Sequence, residues 1–427
     1  MVRDMTRLRR NFAAMVIWQI GNYLVPLATF PYLTRVLGPT GFGTVSYVTA
    51  LTMYGIAVTE WGFNLSGPRA VAQSRHDHSR LNDLIWSVIG AKTCLCVLSM
   101  AILVGATCMI QRLGELKAAL WIGWVGVVAN VFTMHWLMQG LERFSLLSCI
   151  ALVSRFSSIP LTFLLVKYPH DVNVAIGVQS AASMFGAVGS FFFAYHQGLL
   201  RNPRFSWGAV RRQIFDNAEM FLSTASVSLF SATNTVILGS LSGPYQAGVY
   251  ASADKLKTVG NMIPMQINTV LYPRISALLS QGCSGDKRAA ARLTTIGLVG
   301  TIATTSVGML ICVVSSRALI RLVLGSEFVA AAGVLNWLCL STVFGNLAYF
   351  LGLQVLVPFD GASRRARAML GAGLFNIMLA CILVPHMGAG GAAIAYLVAE
   401  VALLGIYLRW VIRSPTMRAH FAQLARG

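Results

Sequence analysis

Charged residues are scarce in this 427-residue chain: 11% are Asp, Glu, Lys or Arg, against 56% hydrophobic, with a mean hydropathy of +0.67. A soluble domain carries about a quarter charged residues, so that class is excluded. Acidic residues are scarcer still, with 14 Asp and Glu against 33 Lys and Arg and a formal charge of +19. Alternating segments of about 10 residues, the mark of a transmembrane β-barrel, are missing. No short apolar core with a small-residue cleavage site follows the basic start "MVRDMTRLRR", so no cleavable leader is expected. There is no Walker A motif, which argues against direct use of ATP. The eight cysteines give no disulfide framework. Cys94 and Cys96 are two apart, on different faces of a helix, and make a poor metal pair. Neither metal nor cofactor is expected, and no residue is assigned a catalytic role.

What the chain does contain is a series of apolar runs about 20 residues long, the length that crosses a bilayer core. The expected fold class is an all-α polytopic membrane protein. Twelve spans are read, near 12–34, 43–63, 84–108, 118–139, 145–166, 173–196, 218–240, 247–272, 294–315, 329–356, 367–386 and 391–412. Most Lys and Arg fall on one side if both termini are cytoplasmic; Arg35, Arg112, Lys117, Lys167, Arg317 and Arg321 fall on the other. That asymmetry sets the expected orientation. The positive charge is spread over every cytoplasmic loop, so contact with anionic lipid headgroups explains it better than nucleic acid does.

One turn is written twice. "LGPTGFGTVSY" occupies 37–47 and "SGPYQAGVYAS" occupies 242–252. At one common offset Gly38, Pro39 and Gly43 meet Gly243, Pro244 and Gly248, and Pro68-Arg69 meets Pro273-Arg274. In each case the Gly-Pro turn opens a span on the outside and the Pro-Arg pair closes it on the inside. Two six-helix lobes are expected, 1–208 and 209–427, entering the membrane in the same direction with a substrate path between them. Glycine permits close backbone approach and proline stiffens the turn, so the two turns are candidate gates on the outer side. The alternative is that both only shape a surface turn.

The opening span, "IWQIGNYLVPLATFPYLTRVLG", carries Pro26 and Pro31, each of which removes a backbone donor and is expected to bend the helix. Gln19 and Asn22 share a face with Pro26 and are expected to face the interior. From Asn22 to Arg75 the chain resembles the start of Wzx-type oligosaccharide flippases, in the superfamily shared with MATE drug exporters and lipid II flippases. The resemblance continues through "LNDLIWSVIGAKTCL", "MHWLMQGLERF" and "YQAGVYASADKLKTVGNMIPMQINTVLYPRIS". It implies a V-shaped, alternating-access transporter of twelve helices in a bacterial inner membrane. The implied cargo is an undecaprenyl-diphosphate-linked O-antigen or related polysaccharide repeat unit, moved from the cytoplasmic to the periplasmic leaflet for lipopolysaccharide biosynthesis. Partners would be that lipid-linked oligosaccharide, membrane lipids, and an O-antigen polymerase and chain-length regulator. A MATE-type cation exporter and a membrane-embedded glycosyltransferase or polymerase are the alternatives. The first would want acidic cavity residues, and the second a large extramembrane loop that is missing.

Such a cargo needs a hydrated, preferably cationic route for its head, and intramembrane ionisable groups usually mark one. Lys92 in span 3 and Arg155 in span 5 are candidates. Asp254, Lys257 and Asn261, with Asn268 two turns on, make one polar stripe along span 8. Lys257 could instead simply pair with Asp254. Glu60 shares a face with Asn64, and Glu60 and Asp254 are the candidate ion-coupling carboxylates. Glu400 has no neighbour of opposite sign on its own helix and reads at least as readily as a packing residue. Arg69 and Arg274 read as headgroup anchors.

Overall fold

The computed structural model describes the backbone of residues 2–200, 206–280 and 284–422, and every regular element among them is helical. Contact density divides the chain into two compact units, Met1–Val236 and Ile237–Gly427.

The first unit begins with α1 (Val2–Glu60), which is two helices joined at Gly38. α2 (Phe63–Ser74) follows a left-handed pair, Trp61 (φ 45°) and Gly62 (φ 80°). α3 (His78–Met109) is capped by Asp77, whose carboxylate accepts from the amides of Ser79 and Arg80 at 3.0 Å each. Then come α4 (Gln111–Glu115), α5 (Lys117–Phe132), α6 (His135–Gly140), α7 (Phe144–Leu165), α8 (Val172–His196) and α9 (Trp207–Asp216). α10 (Ala218–Leu241) runs across the boundary between the units. The second unit continues with α11 (Pro244–Gly260), α12 (Met262–Ser280), α13 (Ser284–Val323) and α14 (Ala331–Phe350). A π-helical turn at Leu351–Leu356 precedes α15 (Ala362–Arg413), which is interrupted at Gly388, and α16 (Pro415–Ala422).

Small residues let the helices of the first unit approach closely. A Cβ on Gly55 in α1 would sit 2.8 Å from Trp124 of α5, and one on Gly140 in α6 would sit 2.6 Å from Val71 of α2. Without a hydrophobic drive between helices in lipid, such close packing supplies much of the cohesion.

Eight helical segments among the described residues are long and apolar enough to cross a membrane, against the twelve spans expected. Two of them, Val25–Ser74 and Ala362–Arg413, have 50 and 52 residues. At 1.5 Å per residue each would run far beyond a core of about 30 Å if straight, and each is broken by a non-helical glycine, Gly38 or Gly388. Expected span 8 is not one helix. It breaks at Asn261 into α11 and α12, so Asn268 does not continue the stripe of Asp254, Lys257 and Asn261 on a single straight helix. Nor do Pro26 and Pro31 interrupt α1: helical geometry runs through both and fails at Gly38 (φ 65°, ψ 178°).

Gly243 has nearly the same conformation (φ 89°, ψ 173°) and is likewise followed by proline at the first position of a helix. A residue with positive φ and ψ near 180° is essentially always glycine, and proline is pre-set for a first helical turn. The repeated Gly-Pro motif is therefore the same backbone device in both units.

Candidate functional site

In the first unit the polar network is built where helices end. Glu60 closes α1, and Asn64 lies in the first turn of α2 four residues later; its Nδ2 donates to Glu60 Oε1 at 2.6 Å across the left-handed break, not along one helix face. The same oxygen accepts from Asn130 Nδ2 at 3.2 Å. Asn130 lies in the last turn of α5, and its carbonyl accepts from Lys92 Nζ at 3.2 Å. Lys92 is 1% exposed. A cation at a helix C-terminus is favoured by the unpaired carbonyls there, and Glu60 supplies a balancing charge. A buried charge of this kind costs several kcal/mol unless it is compensated, so the network holds α1, α3 and α5 together through mutual dependence. His135, at the start of α6, is within electrostatic reach of both Lys92 and Arg155. Arg155 is exposed, with no ion pair among the described residues.

The second unit carries a denser cluster. Lys257 Nζ in the last turn of α11 is 2.6 Å from Asp254 Oδ1 and 4.5 Å from the centroid of the Tyr396 ring in α15. Tyr396 hydrogen-bonds the Glu400 carboxylate one turn on, and Lys257 is within electrostatic reach of that carboxylate too. Glu400 seats against α14 at Gly345, where a Cβ would lie 3.0 Å from its carboxyl carbon. At the α11–α12 break Asn261 Oδ1 accepts from Asn346 Nδ2 at 2.9 Å. Beside the Asp254–Lys257 pair is a cavity of about 200 Å³, lined by Asn261, Met265, Ser341, Thr342, Gly345, Asn346, Tyr349, Tyr396 and Glu400.

The structure thus brings Asp254, Lys257 and Asn261 to one end of α11. Asn268 is buried elsewhere: its Nδ2 donates to Pro264 O at 3.0 Å, and its carbonyl accepts from Gln354 in the π-helical turn. The side chains of Gln19 and Asn22 lie outside the described part. Arg69 and Arg274 are exposed. Asn130, Asn346, Tyr349 and Tyr396 were not singled out by sequence, although an asparagine inside an apolar run such as "VVANVF" or "VFGNLAYF" is a usable signal.

Buried ionic networks inside apolar helices, with helix breaks beside them, are features of a multi-pass membrane transporter. The comparisons agree. The chain belongs to the family described as polysaccharide biosynthesis protein, whose model matches residues 8–279. Two relatives share the name "Putative O-antigen transporter". One, from Escherichia coli (strain K12), is 29% identical over 95% of this chain and 96% of its own. The other, from Shigella dysenteriae, is 22% identical over 95% of this chain and all of its own. Among solved structures, an inward-facing MATE family multidrug resistance transporter of the MOP superfamily matches with a TM-score of 0.72, at 14% identity over 95% of this chain and 98% of that one. The lipid II flippase MurJ, in an inward closed conformation, matches with a TM-score of 0.68, at 14% identity over 96% and 91%. At such identities these two establish the fold alone: the chain has the all-helical MATE and MurJ fold.

Proposed function

We propose that this transporter is a flippase for lipid-linked polysaccharide repeat units, carrying an undecaprenyl-diphosphate-linked O-antigen or related glycan from the cytoplasmic to the periplasmic leaflet of a bacterial inner membrane. Both termini are cytoplasmic in this reading, and the protein moves its cargo without making or breaking covalent bonds. The observation that carries it is the hydrogen-bonded network Glu60–Asn130–Lys92, held in helices apolar enough to cross a bilayer. Charge at that depth is expensive and is usually retained for a polar cargo. Family membership and the two full-length relatives support the polysaccharide class of cargo.

The head of the cargo would pass Gln19, Asn22 and Arg155 in the first unit and Lys257 and Asn261 in the second, with Lys92 buried in the first unit and Asn268 buried away from the second group. Glu60 and Asp254 are the proposed carboxylates for ion coupling. The Gly38-Pro39 and Gly243-Pro244 turns, with Gly43 and Gly248 behind them, are the proposed gate elements of their units. An O-antigen polymerase and a chain-length regulator would take the flipped unit onward. The test is genetic. Deleting the gene should abolish surface polysaccharide and leave lipid-linked repeat units accumulating on the cytoplasmic leaflet, with rescue by the wild-type chain. Undiminished surface polysaccharide in the deletion strain would refute the reading.

A further inference from the structure

The cavity of the second unit is a different chemical environment from the network of the first. Its polar groups are mostly acceptors. Thr342 donates its hydroxyl proton back to the carbonyl of Cys339, which leaves its oxygen only acceptor capacity, while Ser341 is fully buried and bonded to Leu338 O. Asn346 spends an amide proton on Asn261, leaving its own Oδ1 uncommitted among the described residues, and Asn261 keeps its Nδ2 donors. Glu400 adds a carboxylate. Tyr349, 37% exposed, adds an aromatic ring to the wall. Few polar groups on an apolar and aromatic wall are the usual form of a small-molecule site.

We infer that this cavity, formed by Asn261, Ser341, Thr342, Asn346, Tyr349 and Glu400, binds one uncharged sugar ring of the cargo through its hydroxyl groups. Rich in donor hydroxyls, a pyranose matches a wall rich in acceptors, and its C–H face matches the Tyr349 ring. A diphosphate matches less well, because it is an anion made only of acceptors and would face Glu400; the Arg365 guanidinium, 5.7 Å from the Tyr349 ring centroid, is a cation on that side of the wall. A metal cation does not match either. The place it would take beside the two carboxylates is already held by the Lys257 ammonium, 2.6 Å from Asp254 and over Tyr396. The volume of about 200 Å³ suits a single ring rather than an oligosaccharide. This inference rests on the flippase reading above and adds to it where the glycan is recognised.

Proteoliposomes test it with two probes: a polyprenyl diphosphate carrying one N-acetylhexosamine, and the same lipid with no sugar. The quantity measured is the ratio of the two flipping rates. Gly345→Val drives a side chain against the Glu400 carboxylate and so reshapes the cavity wall, and Asn346→Ala removes one acceptor without adding bulk, which guards against misfolding of the first variant. Both should lower the ratio by about tenfold, the effect of roughly one to two lost hydrogen bonds. If both lipids slow equally in both variants, the cavity does not read sugar and the inference fails while the flippase reading stands. If the wild-type protein flips neither lipid, the flippase reading fails first. Sodium-dependent thermal stabilisation that Glu400→Gln removes, with the ratio unchanged in all variants, would make the cavity a cation site and overturn the inference.

Discussion

Lys92 donates from Nζ to the backbone carbonyl of Asn130 at 3.2 Å, while the Asn130 side chain donates to Glu60. The buried ammonium therefore closes a helix end and balances a carboxylate at once. Replacing it alone, as in Lys92→Met, should destabilise the protein by about 3 kcal/mol, because Glu60 is left without its counter-charge. The double variant Glu60→Gln, Lys92→Met should recover much of that loss. Thermal unfolding in detergent measures both, and a double variant as unstable as the sum of the singles would contradict the compensation argument.

Gly243 allows backbone strain to be measured by itself. It sits at φ 89°, and an added Cβ would meet nothing within 4 Å. Gly243→Ala should therefore cost about 1–3 kcal/mol from conformation alone. Gly38→Ala should cost a similar amount if the two turns are one device. Unfolding midpoints within error of wild type for both would show that the turns relax freely.

At the break after Glu60, crowding adds to conformation. Gly62 is left-handed, and a Cβ there would lie 2.6 Å from the Cβ of Met220. Beside it, Trp61 stacks on Phe221 at 3.9 Å and donates from Nε1 to Ile214 O at 2.8 Å. Gly62→Ala should be more damaging than Gly243→Ala. Trp61→Phe should cost about 1 kcal/mol for the lost hydrogen bond. The order of the three melting temperatures checks this ranking.

Much of the fold was legible because lipid imposes it. Runs of apolar residues have few structural options in a bilayer, and a glycine followed by proline between two such runs has fewer. The pair Asp254–Lys257 was legible too, since helical spacing sets it, whereas Glu60 and Asn64 meet across the left-handed break at Trp61 and Gly62. The distant partners were not legible. Asn130 meets Glu60 across 70 positions, and Asn346 meets Asn261 across 85, so no spacing rule announces either contact. Glu400 lacked a counter-charge on its own helix and read at least as readily as packing; the structure packs it against Gly345 and also brings Lys257 of α11 within electrostatic reach. The break at Asn261 was missed although Pro264, in the first turn of α12, marks it. The prolines at 26 and 31 do not end the helix, whose geometry carries on through both to Gly38.

His420 gives the C-terminal helix α16 a pH dependence. Its Nε2 is 3.1 Å from Thr294 Oγ1, its ring meets Phe359 edge-on, and burial holds the imidazole below its ordinary value. The neutral ring is the form favoured by folding. Its contribution to docking is complete above the unfolded imidazole value and is lost as pH falls through that value toward the lower folded one. The protection factors of α16 amides, which correct for the slower intrinsic exchange in acid, should fall between about pH 7 and pH 5. His420→Gln should remove the change, and an unaltered pH response in that variant would assign it elsewhere.

The most direct measurement of the central claim is translocation by the purified chain in liposomes, using a fluorescent polyprenyl-diphosphate-linked glycan and a reagent that quenches only the outer leaflet. The account predicts protein-dependent movement of the glycolipid between leaflets, slowed at least about tenfold in an Arg155→Ala, Lys257→Ala double variant that still folds. Exchange no faster than in protein-free liposomes, or equal rates in the wild type and the double variant, would contradict it.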